Sequence, residues 1–230
     1  MSETLAPAPS GFPAGPMTFA LPGPAGTLEV ATAVPEPECA RAGTVVICHP
    51  NPVQGGTMRN KVITMVERAL RESGLATVRF NFRGVGASTG EFDHGDGESG
   101  DLVAVAQWVR QTRPNDALWL AGFSFGSYVA LRSARSLGAA ALITVAPPVD
   151  RYAVAELAMP TCPWLLVMGE ADEVVPPQAV FDWAATLDPQ PTIVRMPDTG
   201  HFFHRRLMDL RGAVKNAVRG WLPGLVKSAG

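Results

Sequence analysis

The segment Gly122-Phe123-Ser124-Phe125-Gly126 connects an apolar run to a stretch with helical periodicity. A strand that enters a helix through so tight a turn holds its serine in strained backbone geometry. Glycines two residues to either side remove the Cβ atoms that would clash in that turn. The pattern therefore predicts a sharp strand-to-helix junction that presents the Ser124 hydroxyl at the start of a helix. An ordinary serine in a glycine-containing turn is the alternative interpretation.

Apolar runs and helical patterns alternate along the chain on both sides of this junction. Two extended runs that flank a Pro/Gly-rich turn, at 18–21 and 28–33, predict an opening antiparallel hairpin. Continuous apolar runs predict strands buried on both faces at 44–48, 77–82, 118–123, 140–145, 164–168 and 192–196. Apolar spacings of three and four predict helices at 58–71, 102–110, 125–136, 152–157, 178–187 and 203–218. This alternation indicates an α/β fold with a mainly parallel sheet and helices on both faces.

The length of 230 residues fits one domain with a sizeable core. Residues 1–16 are dominated by Ala, Pro, Gly and Ser, a composition that buries little surface. We expect them to form a flexible tail or to lie across the domain. Residues 17–230 are predicted to form the single domain, because no later shift in composition marks a linker.

Composition and charge argue against several classes of binding partner. The formal net charge is −2 and no run of Lys or Arg occurs, so nothing indicates binding to nucleic acid or to an anionic membrane. No secretion signal is apparent, and no stretch approaches the roughly 20 apolar residues of a membrane span. Three scattered cysteines, Cys39, Cys48 and Cys162, fit neither a disulfide framework nor a zinc site. We expect a cytoplasmic protein that acts on a small molecule without a cofactor or metal.

Two other motifs favour structural interpretations. Gly84 and Gly86 follow a predicted strand, but Thr89 stands where a dinucleotide-binding loop would have its third glycine, so a structural turn is predicted. The acidic residues between 91 and 101 do not match the spacing of a calcium loop. Ser99 or Asp101 is expected to cap a helix instead.

With the serine motif in this context, the chain resembles the α/β-hydrolase family over about residues 17–222. Within that family it is most similar to small bacterial hydrolases without a lid, of the carboxylesterase or dienelactone-hydrolase type. The resemblance implies a triad in the chain order Ser, Asp, His. The stretches that carry it are His49-Pro50-Asn51-Pro52 with Gly55-Gly56-Thr57, Arg79-Phe80-Asn81-Phe82-Arg83-Gly84-Val85-Gly86, and the serine motif itself.

Ser124 needs a base, because a serine hydroxyl is a poor nucleophile at neutral pH. His201 lies between the last predicted strand and the last helix, where its imidazole can reach the sheet edge. The chain order of the family also favours it over His49 and His94, which precede the serine. His204 would lie on the first turn of the helix and is expected to be a packing or surface residue.

The base needs a carboxylate that holds the imidazole in the correct tautomer. Asp172 follows the strand predicted at 164–168 and matches the acid loop of the family. Glu170 and Glu173 are rivals close by in sequence. All three could also be solvated loop charges.

The negative charge that develops on a substrate carbonyl needs N–H donors. The serine motif supplies the amide of Phe125. The second donor is expected in the loop after the first parallel strand, where prolines have no N–H. Asn51 is the leading candidate by resemblance, and Val53 and Gln54 remain alternatives.

The short interval between Ser124 and Asp172 has no room for a cap domain. We therefore expect an open groove lined by Pro147, Pro148, Phe125 and Phe202. Such a site suits short acyl esters or thioesters. The alternatives are other reactions of the same triad, namely acyl transfer, peptide cleavage or lactone opening, and a non-catalytic binding module. A nucleotide-dependent oxidoreductase is disfavoured by the broken glycine pattern.

Overall fold

The structure is a computed structural model that describes residues 5–226. An eight-stranded sheet in the order β1-β2-β4-β3-β5-β6-β7-β8 forms its centre. The pairs β1–β2 and β2–β4 are antiparallel, and the remaining pairs are parallel. The strands are β1 (Met17–Gly23), β2 (Gly26–Ala33), β3 (Gly43–Cys48), β4 (Ala76–Phe80), β5 (Ala117–Phe123), β6 (Ala141–Val145), β7 (Trp164–Gly169) and β8 (Thr192–Met196).

Helices cover both faces of the sheet, and each face has its own apolar core. Successive side chains of a strand point to opposite faces. In β3, accordingly, Val45 and Ile47 belong to one core and Val46 to the other. The helices of the first face are α1 (Lys61–Glu72), α4 (Pro177–Ala185) and α5 (Leu207–Val218), and those of the second are α2 (Asp96–Thr112) and α3 (Phe125–Ala134). The predicted α/β class, opening hairpin and mainly parallel sheet are confirmed.

The connection from β6 to β7 differs from the prediction. The helix expected at 152–157 is wrong, since this segment forms only a 3₁₀ turn at Val154–Glu156. Of the three residues in the turn only Val154 is buried, so there is no apolar face that could hold a longer helix against the sheet. The connection contains no inserted domain and no α-helix.

Helix α2 begins at Asp96, earlier than predicted, and neither expected cap performs that role. The N-cap is Gly95, whose N–H donates to the buried carboxylate of Glu98 at 2.7 Å. Asp101 is fully buried and accepts hydrogen bonds from the backbone and guanidinium of Arg83. Ser99 donates its hydroxyl to Gly95 C=O inside the first turn.

Strand β8 also departs from expectation. It lies at the edge of the sheet, and only its last residue, Met196, is buried. A strand with one neighbour has a face and an edge in contact with water. The apolar run therefore predicted the strand correctly but not its exposure.

The described part of the N-terminal segment lies against the domain and is not a free tail. Ala20 N–H donates to Ala6 C=O at 2.7 Å, and the Trp108 indole donates to Pro9 C=O at 3.4 Å. The ring of Phe12 stacks on Trp108. Residues 1–4 of the expected tail lie outside the described residues. Within residues 5–226, none of the helices combines the length and apolar character that a membrane crossing requires.

Candidate active site

The junction between β5 and α3 has the sharp geometry that its sequence predicts. Ser124 adopts φ 53° and ψ −122°, a conformation that residues with a Cβ rarely take. Its N–H donates to Val145 C=O on β6 at 2.8 Å. A Cβ on Gly122 would lie 2.1 Å from the oxygen of Gly126, and a Cβ on Gly126 would lie 2.2 Å from the oxygen of Cys48. Both glycines are therefore required by close backbone approaches.

Three of the predicted site residues, Ser124, His201 and Asp172, are joined by successive hydrogen bonds. The Ser124 Oγ lies 3.1 Å from His201 Nε2, and His201 Nδ1 lies 2.8 Å from Asp172 Oδ2. A carboxylate can only accept, so Nδ1 carries the proton and Nε2 is free to accept from the serine hydroxyl. His201 and Asp172 are buried, whereas Ser124 is partly accessible.

The rival residues make different contacts. Glu173 Oε2 accepts from the backbone N–H of His201 at 3.1 Å, so this carboxylate supports the loop and does not reach the imidazole. Glu170, His94 and His204 are exposed. Of the carboxylates and histidines weighed from the sequence, the structure brings Asp172 and His201 to the serine.

The loop after β3 contains the three candidate N–H donors that were considered from the sequence. Val53 N–H donates to Asn51 Oδ1 at 3.0 Å, and Gln54 N–H donates to Asn51 C=O at 3.1 Å. The N–H groups of Asn51 and Phe125 donate to no acceptor among residues 5–226. Two of the three candidates in this loop are thus engaged in the turn, and Asn51 has the free N–H.

A cavity of about 300 Å³ opens at the serine. Asn51 and Phe202 line it, as predicted, but Pro147 does not, and Pro147 and Pro148 are buried. The Phe125 side chain is also buried, in the core of the second face. The cavity extends instead toward the loop after β3, and its full lining is Pro50, Asn51, Gln54, Gly55, Gly56, Asn60, Ser124, Val174, His201 and Phe202.

The lining of this cavity by Gly55 and Asn60 was not predicted from the sequence, and Gln54 was considered only as an alternative N–H donor. The available signal was their position in a loop at the carboxyl end of a parallel strand, where ligands of such sheets bind. Among the described residues, no group of His, Cys, Asp and Glu side chains is arranged to hold a metal ion.

His49 was set aside by chain order, yet it is fully buried beside this loop. Its Nδ1 lies 2.7 Å from Pro50 O, and its Nε2 accepts from Phe82 N–H at 3.0 Å. Burial lowers the pKa of His49 from its ordinary value of 6.5 to about 4. The imidazole is therefore neutral at physiological pH.

The sheet order, the strained serine and the Ser-Asp-His chain order are those of α/β hydrolases. A family model described as an alpha/beta hydrolase domain matches residues 42–217, and the chain belongs to this family.

The chain is also similar to two solved structures and to one further relative. The chain is 56% identical to a protein from Xanthomonas campestris described as an α/β serine hydrolase without lid, with a TM-score of 0.91 over 94% of this chain and 99% of that chain. It is 44% identical to an α/β serine hydrolase homologue from Coxiella burnetii, with a TM-score of 0.86 over 90% of this chain and 99% of that chain. An uncharacterised protein from Rickettsia prowazekii is 30% identical over 185 residues, which are 76% of this chain and 78% of the relative. The predicted lidless α/β-hydrolase fold is confirmed.

Proposed function

We propose that the protein is a serine esterase that hydrolyses carboxylic esters or thioesters of small acyl groups through an acyl-enzyme on Ser124. The observation that carries this proposal is the hydrogen-bonded line from Asp172 through His201 to Ser124, which ends at an accessible cavity. A hydroxyl within 3.1 Å of an imidazole nitrogen that can accept a hydrogen bond can lose its proton as it attacks a carbonyl carbon.

Each residue of the line has one role in the proposed reaction. Ser124 Oγ attacks the acyl carbon, and His201 Nε2 takes the hydroxyl proton. Asp172 stabilises the imidazolium and keeps its orientation. The protonated His201 then gives its proton to the leaving alcohol or thiol, and a water activated by the same imidazole hydrolyses the acyl-enzyme.

The oxyanion is proposed to bind the N–H groups of Phe125 and Asn51. Neither N–H has an acceptor among the described residues, whereas the N–H groups of Val53 and Gln54 are engaged in the turn. Asn51 lines the cavity, and the Phe125 N–H directly follows Ser124, which also lines it. An N–H donor without a partner costs little to direct at a substrate oxygen. One such donor contributes on the order of 10² to 10³ in rate.

The size of the cavity, and the lack of an inserted domain between β6 and β7, support small acyl substrates. A volume of about 300 Å³ lies at the lower end of the range for small-molecule sites. Phe202 is 44% exposed and is proposed to contact the substrate. Pro147 is not part of this proposal, because it does not line the cavity.

The test compares the wild type with Ser124→Ala on p-nitrophenyl acetate and on a panel of esters and thioesters of graded acyl length. We expect Ser124→Ala to lose turnover of every substrate without a change in melting temperature. The matched control is Ser136→Ala, which alters an exposed serine near the end of α3 and should keep full activity.

A fluorophosphonate probe separates the possible failures. We expect mass spectrometry to place its adduct on Ser124. Labelling without hydrolysis of any ester or thioester would refute the esterase and favour other acyl chemistry. Absence of labelling would refute the nucleophile and favour a binding module.

A further inference from the structure

We propose that His49 is a positioning residue that aims the N–H of Asn51 at the reacting carbonyl oxygen. This inference rests on the proposed function, in which Asn51 is one of two oxyanion donors. It goes further by assigning a task to a buried imidazole that takes no part in proton transfer.

The two ring nitrogens of His49 have different, fixed roles. Phe82 N–H can only donate, so Nε2 accepts at 3.0 Å, and the proton of the neutral ring must lie on Nδ1. The Nδ1–H then donates to Pro50 C=O at 2.7 Å. The ring also packs on the side chain of Phe82, with 4.6 Å between the ring centroids. The direction of the Pro50 carbonyl is thus set by a side chain that is itself held by Phe82, two residues beyond the end of β4.

The hydrogen bond from His49 Nδ1 to Pro50 C=O determines where the Asn51 N–H points. The peptide unit between Pro50 and Asn51 is planar and trans, so its C=O and N–H point in opposite directions. When the imidazole holds the carbonyl on its own side, the N–H must point away from the ring. Pro50, Asn51 and Ser124 all line the cavity, into which we propose that this N–H points.

The neighbouring peptide units oppose rotation of the peptide unit between Pro50 and Asn51. Gln54 and Gly56 N–H both donate to Asn51 C=O, at 3.1 and 2.9 Å. A Cβ on Gly56 would lie 2.0 Å from Pro50 O, so the carbonyl occupies a space that only a glycine at this position leaves open. The turn therefore fixes one end of Asn51, and His49 fixes the peptide unit at its other end.

The backbone of His49 also touches the serine junction. A Cβ on Gly126 would lie 2.5 Å from His49 O, so the two backbones are in direct contact. The ring of Phe82 further packs edge-on against Phe125, with centroids 5.7 Å apart. His49 thus joins the loop of one proposed donor, Asn51, to the helix start that supplies the other, Phe125.

Two substitutions test the two ring nitrogens of His49 separately. An asparagine places its amide N–H near the position of Nδ1, so His49→Asn keeps the bond to Pro50 C=O and loses the acceptor for Phe82 N–H. A glutamine reaches the position of Nε2, so His49→Gln keeps the acceptor and loses the donor to Pro50. Each variant removes one buried hydrogen bond, and we expect comparable falls in melting temperature.

The activity of the two variants should differ although their stability does not. We expect His49→Gln to lower kcat about 10- to 100-fold with little change in KM, since a misdirected donor forfeits much of its effect on the transition state. His49→Asn should keep kcat within about threefold of wild type. The acid limb of the kcat/KM profile should be the same in both, because the contacts of His201 are unchanged. Equal losses of kcat in the two variants, or losses that follow melting temperature, would overturn the role of His49.

The rate of fluorophosphonate labelling keeps this test apart from the esterase proposal, because phosphonylation needs the same donors but no ester substrate. A wild type that does not label refutes the nucleophile itself, whereas equal labelling rates in the two variants refute only the role of His49. Should either variant fail to fold, the nitrogen chemical shifts of ¹⁵N-histidine in the wild type decide. We expect the Nδ1–H tautomer at His49, and the Nε2–H tautomer would overturn the proposal.

Discussion

The carboxylate of Asp172 lies 2.8 Å from the imidazole of His201 and is held from behind by its own loop. Its Oδ1 accepts the N–H groups of Val174 and Val175, each at 2.8 Å, while Oδ2 faces Nδ1. The side chain cannot turn away from the imidazole without breaking two backbone hydrogen bonds. The loop after β7 therefore fixes the orientation of the proposed base.

Asp172→Asn should lower kcat on the order of 10⁴-fold, because an amide that donates to Nδ1 stabilises the wrong tautomer and cannot neutralise an imidazolium. Steady-state hydrolysis of a short-chain ester measures the loss. The matched control is Glu173→Gln, which keeps an oxygen for the backbone N–H of His201 and should lower kcat by less than about fivefold. If the two variants were equally impaired, Asp172 would have no special role.

Gly126→Ala should both destabilise the fold and abolish turnover. The new Cβ would press on the backbone oxygens of Cys48 and His49, which cannot move without separating the serine junction from the loop of Asn51. We expect the free energy of unfolding to fall by at least about 2 kcal/mol in a urea titration. Gly212→Ala in α5 is the control, because a Cβ there meets nothing. That helix-interior change should raise stability by about 0.5–1 kcal/mol and leave kcat unchanged; a neutral Gly126→Ala would contradict the close approach.

The parts of the fold that the sequence predicted well are those with a local cause. Strands covered on both faces, such as β3 and β5, leave continuous apolar runs in the sequence. The glycines at 122 and 126 mark the serine junction for a local steric reason. The order of Asp172 and His201 along the chain came from the resemblance to a family and not from any local pattern.

The features that differed from the sequence predictions depend on contacts between residues that are distant in sequence. Asp101 was expected to cap a helix, but it is buried and forms an ion pair with Arg83 on another segment. The cavity is lined by Gln54 and Asn60 from the loop after β3 and not by Pro147. The spacing of apolar residues does not predict which buried charges pair. It also does not predict on which side of the sheet a groove opens.

The rate of hydrolysis should not increase when an ester passes its solubility limit. Interfacial activation requires a segment that uncovers the site, and the connection from β6 to β7 contains only the turn Val154–Glu156. We expect the rate to depend hyperbolically on the concentration of tributyrin or a similar ester, with no step as the emulsion forms. A sharp rise at that point would show that some part of the chain acts as a lid.

The buried imidazole of His49 should make the fold lose stability in mild acid. Its pKa is lowered from 6.5 to about 4 by burial, so the unfolded chain binds a proton more readily than the folded one between these values. The contribution of the neutral His49 imidazole to the free energy of unfolding is fully present above about pH 6.5. It is lost as the pH falls toward about 4. At about 1.4 kcal/mol for each pH unit, the total loss is about 3 kcal/mol.

Denaturant titrations of the wild type and His49→Asn between pH 7.5 and 4 isolate this effect. Carboxylates that protonate in the same range contribute equally to both proteins and cancel in the difference. Asparagine does not titrate, so the stability advantage of the wild type should shrink by about 3 kcal/mol as the pH falls. An advantage that stays constant would mean that His49 takes its proton equally well in the folded and unfolded chains. That result would contradict the buried, neutral imidazole on which the orientation of the Pro50 carbonyl depends.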